Sequence, residues 1–394
     1  MDVSTTFLNG EIDMEIYMRI PEGLEVQGDP TLGEDPKCWV LQLLKGLYGI
    51  KQGPQIWALK LHSVLTGIGF ICTDCNHSVF IYCHDSVHIL LPIHVDNLLL
   101  TSNSRPALQS VKSELASHFK LHDLGPASSI LSMQIVHNHD AHSISLSQPG
   151  YIRSILKDIL MLDCNPLLML MEECPPLSAS MCPKTLDDKL DMQGIPYHEL
   201  VSKLLYLAVT THPDIAYAIG VLCRFVENPG WEHWNAGKHI LRYLRGTIDM
   251  SLCYADSHSP NLFMTYSDSN LSGNLDNHRS TGGFAICMGG GAVQWGSWLQ
   301  PHVSLSSTES EYTTVSKVGC EVLWMKYLLE EFRYNVSKPS PIFVDNVLAI
   351  QVARHLEHQL TMKHVHCAYH WICNHLECYE LIFQGRISSS MINS

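Results

Sequence analysis

Two groups of acidic side chains in this sequence have residue types suited to holding divalent cations. Asp2 sits close to the start, and Asp96 lies within Ile93-His94-Val95-Asp96-Asn97. The second group comprises Tyr266-Ser267-Asp268, Ser306-Ser307-Thr308-Glu309-Ser310-Glu311-Tyr312 and Phe343-Val344-Asp345-Asn346. Two-metal phosphoryl transfer needs clustered carboxylates, because two neighbouring cations must have their charge offset before they clamp the attacking and leaving oxygens. Taken alone, Asp2 reads as a solvated acid and Asp96 as an ordinary turn residue, since Asp and Asn favour turns.

The surrounding pattern predicts elements that position these acids. Residues 78–82 and 87–91 read as paired strands, and the chain after Ile93 turns at Val95-Asp96-Asn97, which sets Asp96 at a hairpin tip. Trp57, Leu61 and Leu65 recur at four-residue spacing and predict a helix with one buried face. Helices are also expected over 107–119 and 151–160, around a strand at 143–146. Residues 161–195 carry Pro166, Pro175, Pro176 and Pro183 with little pattern and read as a linker. Residues 196–250 read as helical, with Leu200, Leu204, Leu207, Ile240, Leu241 and Leu244 on apolar faces. Further on, strands are predicted over 262–266, 282–288 and 292–298, the last two joined by Gly289-Gly290-Gly291. Ser306-x-x-Glu309 matches a capping box that opens a helix. A strand at 341–344, a helix at 347–353 and a last helix near 366–378 complete the order.

Composition limits the functions open to the chain. Its 394 residues exceed one ordinary core, so two or three domains are expected. No apolar run approaches the roughly 20 residues of a membrane span, and the start lacks a signal-peptide pattern, so a cytoplasmic or nuclear setting is expected. The 14 Cys read as buried thiols rather than a disulfide framework. The formal charge of −14, from 25 basic and 39 acidic residues, opposes non-specific phosphate binding. Most Trp residues sit in apolar patterns and read as core rather than as base-stacking platforms.

Met1-Asp2-Val3, Thr6-Phe7-Leu8-Asn9-Gly10, Glu15-Ile16-Tyr17-Met18, Leu47-Tyr48-Gly49-Ile50-Lys51-Gln52-Gly53-Pro54, Asp123-Leu124-Gly125 and Leu146-Ser147-Gln148 share an order. In that order they resemble the reverse transcriptase of Ty1/copia-type retrotransposons. The resemblance implies a palm whose metals are held by Asp2 and Asp96. It also implies two departures at the hairpin. His94 stands where the family has Tyr, and Asn97 where it has a second Asp. The family's fingers region would precede Asp2, so fingers are expected to be missing.

The C-terminal part resembles the ribonuclease H domain of the same elements, through Tyr266-Ser267-Asp268, Ser280-Thr281-Gly282-Gly283, the Ser306–Tyr312 stretch, Asp345-Asn346 and Lys363-His364-Val365. Asp268, Glu311 and Asp345 match three of the four acids that such a site uses. Glu311 is preferred over Glu309, which is better used in capping. The fourth position is His366, a ligand that suits Zn or Mn better than Mg. A zinc site in the tail (His364, His366, Cys367, His370, Cys373, His375, Cys378) lacks the usual ligand spacing, and the segment suits the last helix without metal.

The expected fold is therefore α+β, with a truncated reverse-transcriptase palm and thumb-like region at 1–160, a linker at 161–195, a helical connection at 196–256 and a ribonuclease H-like α/β domain at 257–394. The expected function is that of a retrotransposon polyprotein remnant with polymerase activity lost. One alternative is an active ribonuclease H with a weakened site for Mg or Mn, and the other is a non-catalytic scaffold. The expected partner of an active form is an RNA/DNA hybrid or a primer-template, with no membrane.

Overall fold

The computed structural model describes residues 1–24, 40–170, 176–255, 262–336, 339–354, 371–378 and 380–385. Its contacts group into two compact units, Met1–Ala127 and Ser128–Ser394. Both mix helices with mainly antiparallel sheets, so the α+β class expected from the sequence holds.

The first unit runs β1 (Asp2–Val3), β2 (Tyr17–Arg19), β3 (Val40–Gln42), α1 (Gly53–Ile68), β4 (Ile71–Cys72), β5 (Val79–His84), β6 (Val87–His94), β7 (Asn97–Leu98), β8 (Thr101–Ser102), α2 (Arg105–His118) and β9 (Leu121–His122). Its main sheet has the order β4-β5-β6-β7-β1-β9, with β8 pairing β6. The four-residue stripe of α1 does what its spacing predicts. Trp57, Leu61 and Leu65 are buried and share a core with Phe80, Ile89, Leu91, Val111 and Leu115. Each such side chain contributes about 1.5–3 kcal/mol by leaving water. α2 starts sharply because Ser104 accepts a bond from the Ala107 amide, and Pro106 occupies the first turn, where its missing N–H costs nothing.

The second unit opens with β10 (Ser129–Ile130), β11 (Met133–Asn138), β12 (Ser143–Ser147) and α3 (Pro149–Asp158). Then come α4 (Leu186–Met192), α5 (Tyr197–Thr210), α6 (Ala216–Leu222), α7 (Trp231–Gly246) and β13 (Leu252–Ala255). The last part holds β14 (Met264–Asn270), β15 (Thr281–Met288), β16 (Gly291–Leu299), α8 (Ser307–Glu331), β17 (Ser340–Val344), α9 (Val347–Arg354), α10 (Trp371–Glu377) and β18 (Leu381–Gly385). One helical core joins Ile152, Ile155 and Leu156 of α3 to Leu200, Leu204 and Leu207 of α5 and to Ile240, Leu241 and Leu244 of α7. The final sheet has the order β16-β15-β14-β17-β18. β14, β15 and β16 are antiparallel, whereas β17 and β18 join in parallel. Gly289 and Gly290 both take positive φ at the β15–β16 turn, the conformation that glycine adopts without strain.

Four sequence expectations change. The break in packing falls at Ala127/Ser128, ahead of the linker expected at 161–195. Part of that segment is folded onto the helical core: Leu177 and Met192 are buried there, and a reciprocal Thr185–Asp188 capping box starts α4. Residues 252–255, expected as part of a helical connection, form a strand whose Leu252 to Ala255 pair with Leu146 to Ser143. Proline spacing and local propensity cannot report these long-range partners. The cysteines also differ from expectation. Among the 11 described thiols only Cys373 is buried.

Candidate metal centre

The second acidic group is assembled by strand register and helix capping. β14 and β17 pair in parallel with Thr265 opposite Ile342 and Tyr266 opposite Phe343. Continuing that register sets Asp268 level with Asp345. The third acid arrives on α8. Ser306 caps this helix by accepting a bond from the Glu309 amide at 3.2 Å, and Glu309 Oε2 accepts from the Leu305 amide at 2.7 Å. Glu309 is thus engaged in holding the helix start, and Glu311, half a turn on, faces the strands.

Ligand oxygens of Asp268, Glu311 and Asp345 all lie within 4.8 Å of one another. Among the described residues this is the one cluster of three or more metal-ligating side chains. Asp268 and Asp345 are exposed, while Glu311 is 4% exposed. Glu311 Oε1 accepts bonds from the Ser269 amide at 2.9 Å and the Ser269 hydroxyl at 3.0 Å. Its Oε2 is buried with no hydrogen-bond partner. Burial pushes the Glu311 carboxyl up to about 7, and the charges of Asp268 and Asp345 add to that rise, while the two Ser269 bonds oppose it. A buried, unbonded carboxylate oxygen facing two further carboxylates is costly without a positive partner. The donor set therefore fits a hard divalent cation.

A second layer holds α8 in register. Gln300, fully buried just after β16, donates to the Ser310 carbonyl at 2.9 Å, the Ser310 hydroxyl at 3.2 Å and the Thr314 hydroxyl at 2.9 Å. Its Oε1 accepts from Ser304 at 2.9 Å. At Gly282 a Cβ would stand 2.6 Å from Thr314 Oγ1, so β15 can lie this close to α8 only without a side chain there. Neither Ser269 nor Gln300 was singled out from the sequence. The only local signal for Ser269 is that it directly follows Asp268. For Gln300 it is a polar residue ending an apolar strand.

The first acidic group is brought together at the level of the backbone. Asp2 pairs with Asn97 across β1 and β7, and the Val3 amide bonds to the Asp96 carbonyl at 3.0 Å. The hairpin tip is held by Trp57, whose indole N–H donates to the Val95 carbonyl at 2.7 Å, with Val95 at φ 55°. Asn97 Nδ2 donates to Asp96 Oδ1 at 2.9 Å. The amide thereby occupies a carboxylate oxygen, whereas an acid at that position would add a charge.

His366 and its neighbours His364, Cys367 and His370 lie outside the described residues. Of the tail, Cys373 is buried 3.5 Å from the Tyr312 hydroxyl, and His375 Nδ1 pairs with Glu380. Trp57 and Trp234 are buried and Trp231 is 48% exposed, so the core reading of the Trp residues holds for the first two and fails for the third.

Residues 1–173 match the family described as reverse transcriptase (RNA-dependent DNA polymerase). The chain is 37% identical over 94% of its length to the retrovirus-related Pol polyprotein from transposon TNT 1-94 of Nicotiana tabacum, and covers 27% of that polyprotein. It is 31% identical over 82% of its length to the putative transposon Ty5-1 protein of Saccharomyces cerevisiae, all of which it covers. It also aligns with the solved foamy viral protease-reverse transcriptase in complex with dsDNA, at 12% identity and a TM-score of 0.43, over 88% of this chain and 61% of that one. The chain spans about a quarter of the length of the plant Pol polyproteins it matches. On the family match and on relatives that follow nearly its whole length, it belongs to the Pol proteins of Ty1/copia-type retrotransposons.

Proposed function

We propose that Asp268, Glu311 and Asp345 form the divalent-cation site of a ribonuclease H-like domain that cleaves the RNA strand of an RNA/DNA hybrid. The observation that carries this reading is the convergence of three carboxylates from two parallel strands and one helix, with Glu311 Oε2 buried and unpaired. Bound Mg or Mn ions would offset the carboxylate charge, activate water and polarise the phosphodiester. The chain's own contribution is to hold the three acids in place. Ser269 fixes Glu311 Oε1 and leaves Oε2 free to face Asp268 and Asp345. Near neutral pH Glu311 retains part of its proton, so cation binding must displace it, and affinity rises with pH.

With His366 expected in place of the fourth acid, Mn should serve better than Mg, because an imidazole ligand suits Mn better. The test is cleavage of an end-labelled RNA/DNA hybrid by the purified chain in each metal. The expected result is RNA-strand cleavage that appears in Mn first and is lost in Asp268→Asn and Glu311→Gln. Cleavage that survives both substitutions rejects the assignment.

The first unit supports a different reading for polymerisation. The Asn97 amide engages the Asp96 carboxylate and brings no charge of its own. We infer that Asp2 and Asp96 form a palm site too weakly charged to hold two cations. No primer extension is expected, and template-dependent extension that disappears in Asp96→Ala would overturn this.

A further inference from the structure

A groove of about 320 Å³ opens beside Asp268 on the face of the sheet formed by β14, β15 and β16. Its volume is at the lower end of the roughly 300–1,000 Å³ range of ligand clefts. One wall belongs to the helical region, where Pro213, Ala216 and Tyr217 face Asn270, Thr281 and Trp295 on the sheet. The wall is fixed in place, because the Trp295 indole N–H donates to the Ala208 carbonyl at the end of α5 at 2.7 Å. Gly283 lines the groove without a side chain, and a Cβ there would meet nothing closer than the Gly296 carbonyl oxygen at 3.7 Å.

Arg224 reaches Thr281, one of the residues that line this groove. It is half-buried and makes one long hydrogen bond, from Nη2 to the Thr281 hydroxyl at 3.5 Å. No carboxylate lies within ion-pair distance of it among the described residues. The acid whose charge reaches it, Asp276, already shares the Ala179 amide N–H between its two carboxylate oxygens, at 2.9 and 3.0 Å. Burial lowers the Arg224 pKa, the sign of a cation stripped of water without full compensation. The Tyr217 ring, on the same helical segment, is 41% exposed beside it and offers an aromatic face. A planar guanidinium with spare donors, a hydroxyl and an exposed aromatic ring along one open channel suit a sugar-phosphate strand.

We propose that Arg224 and Thr281 form an anion subsite that takes one backbone phosphate of a nucleic-acid strand laid along this groove towards Asp268. Tyr217 packs against the adjoining sugar or base. The helical region thereby supplies a substrate-positioning residue to the sheet that bears the acids. The proposal rests on the reading of Asp268 as part of a phosphodiester-cleaving site. It predicts that a fixed distance separates the held phosphate from the bond that is cut.

The test is anisotropy of a labelled RNA/DNA hybrid with the full chain in EDTA, where cleavage does not run, across a salt series. Arg224→Gln should weaken binding about five- to tenfold and lower the log–log salt slope by about one. A scan of hybrids carrying one neutral methylphosphonate each should find a single dominant position in the parent chain, and that position should cease to matter in Arg224→Gln. An unchanged slope and scan, with an unchanged melting midpoint, overturns the subsite. Should Arg224→Gln fail to fold, the parent scan decides alone, and a profile without a dominant phosphate overturns the proposal. A chain that shows the Arg224-dependent phosphate but cuts nothing keeps the subsite and rejects the cleavage reading. A chain that cuts hybrid with no such phosphate does the reverse.

Discussion

Glu311 stores the tension of the candidate centre in one carboxyl. Its folded pKa, about 7, lies above the ordinary glutamate value of 4.5. The stability it contributes is therefore fully present below about pH 4.5 and is lost as pH rises through 7. The whole effect is roughly 3 kcal/mol. In EDTA, Glu311→Gln should unfold at a higher temperature than the parent at pH 8, and the difference should vanish near pH 4.5. Mn added at pH 8 should raise the melting point of the parent and leave that of Glu311→Gln nearly unmoved. A parent whose midpoint ignores Mn would mean that the three acids hold no cation. Asn97 presents the opposite case, a group whose proton-rich nitrogen relieves Asp96. Asn97→Asp removes that bond and sets two like charges side by side, which should cost about 1 kcal/mol in EDTA. Saturating Mn should restore it if the hairpin still forms a cation pair with Asp2. Denaturant titration with and without Mn measures both quantities.

At the scale of elements, α8 is held by a buried amide rather than by apolar packing alone. Gln300→Leu would take the Gln300 partner from the Ser304 and Thr314 hydroxyls and one of the two bonds from the Ser310 carbonyl, at about 1–3 kcal/mol. The same change should weaken Mn affinity at the acids, because Ser310 adjoins Glu311. Loss of stability with unchanged Mn affinity would confine Gln300 to a structural role. The helical region responds to acid in its own way. His212 and His233 are buried, and burial lowers both pKa values from 6.5. Asp214 faces His212, and Glu232 and Asp276 face His233, but their charges do not reverse the shift. The contribution of both histidines is present above about pH 6.5 and is lost as pH falls below it. A fall in the urea midpoint between pH 7 and pH 5.5 should be smaller in His233→Asn. Much of this was legible in the sequence. The Trp57, Leu61, Leu65 stripe, the Gly289-Gly290 turn and the Ser306–Glu309 cap all fix local geometry from local residues. The folded stretch around Leu177 and Met192, the pairing of β12 with β13, the strand β18 and the role of Gln300 were not legible. Each depends on a partner far along the chain, and nothing in a local pattern names that partner.

Across the whole molecule, the two units keep separate cores. One is built on Trp57, Leu65 and Ile89, and the others on Leu200 with Leu241 and on Val315 with Ile342. A fragment of residues 128–394 should therefore fold and bind Mn at the acids with the affinity of the full chain. A fragment that unfolds, or binds Mn tenfold more weakly, would show that the first unit supports the centre. No described helix is long and apolar enough to cross a membrane. With a formal charge of −14, the surface repels nucleic acid at long range, so any hybrid binding should rest on few cations and show a shallow log–log salt slope.

The parallel pairing of β14 with β17 has a consequence for how such a chain decays. Point substitutions remove the acids one at a time and leave the others aligned. A single-residue insertion or deletion within either strand acts differently, since it turns every later side chain to the opposite face and separates Asp268 from Asp345 at a stroke. In copies of this sequence that drift without selection, one such length change in either short segment should therefore misalign the whole centre in a single step. Equal changes in the loops between them would pass unnoticed.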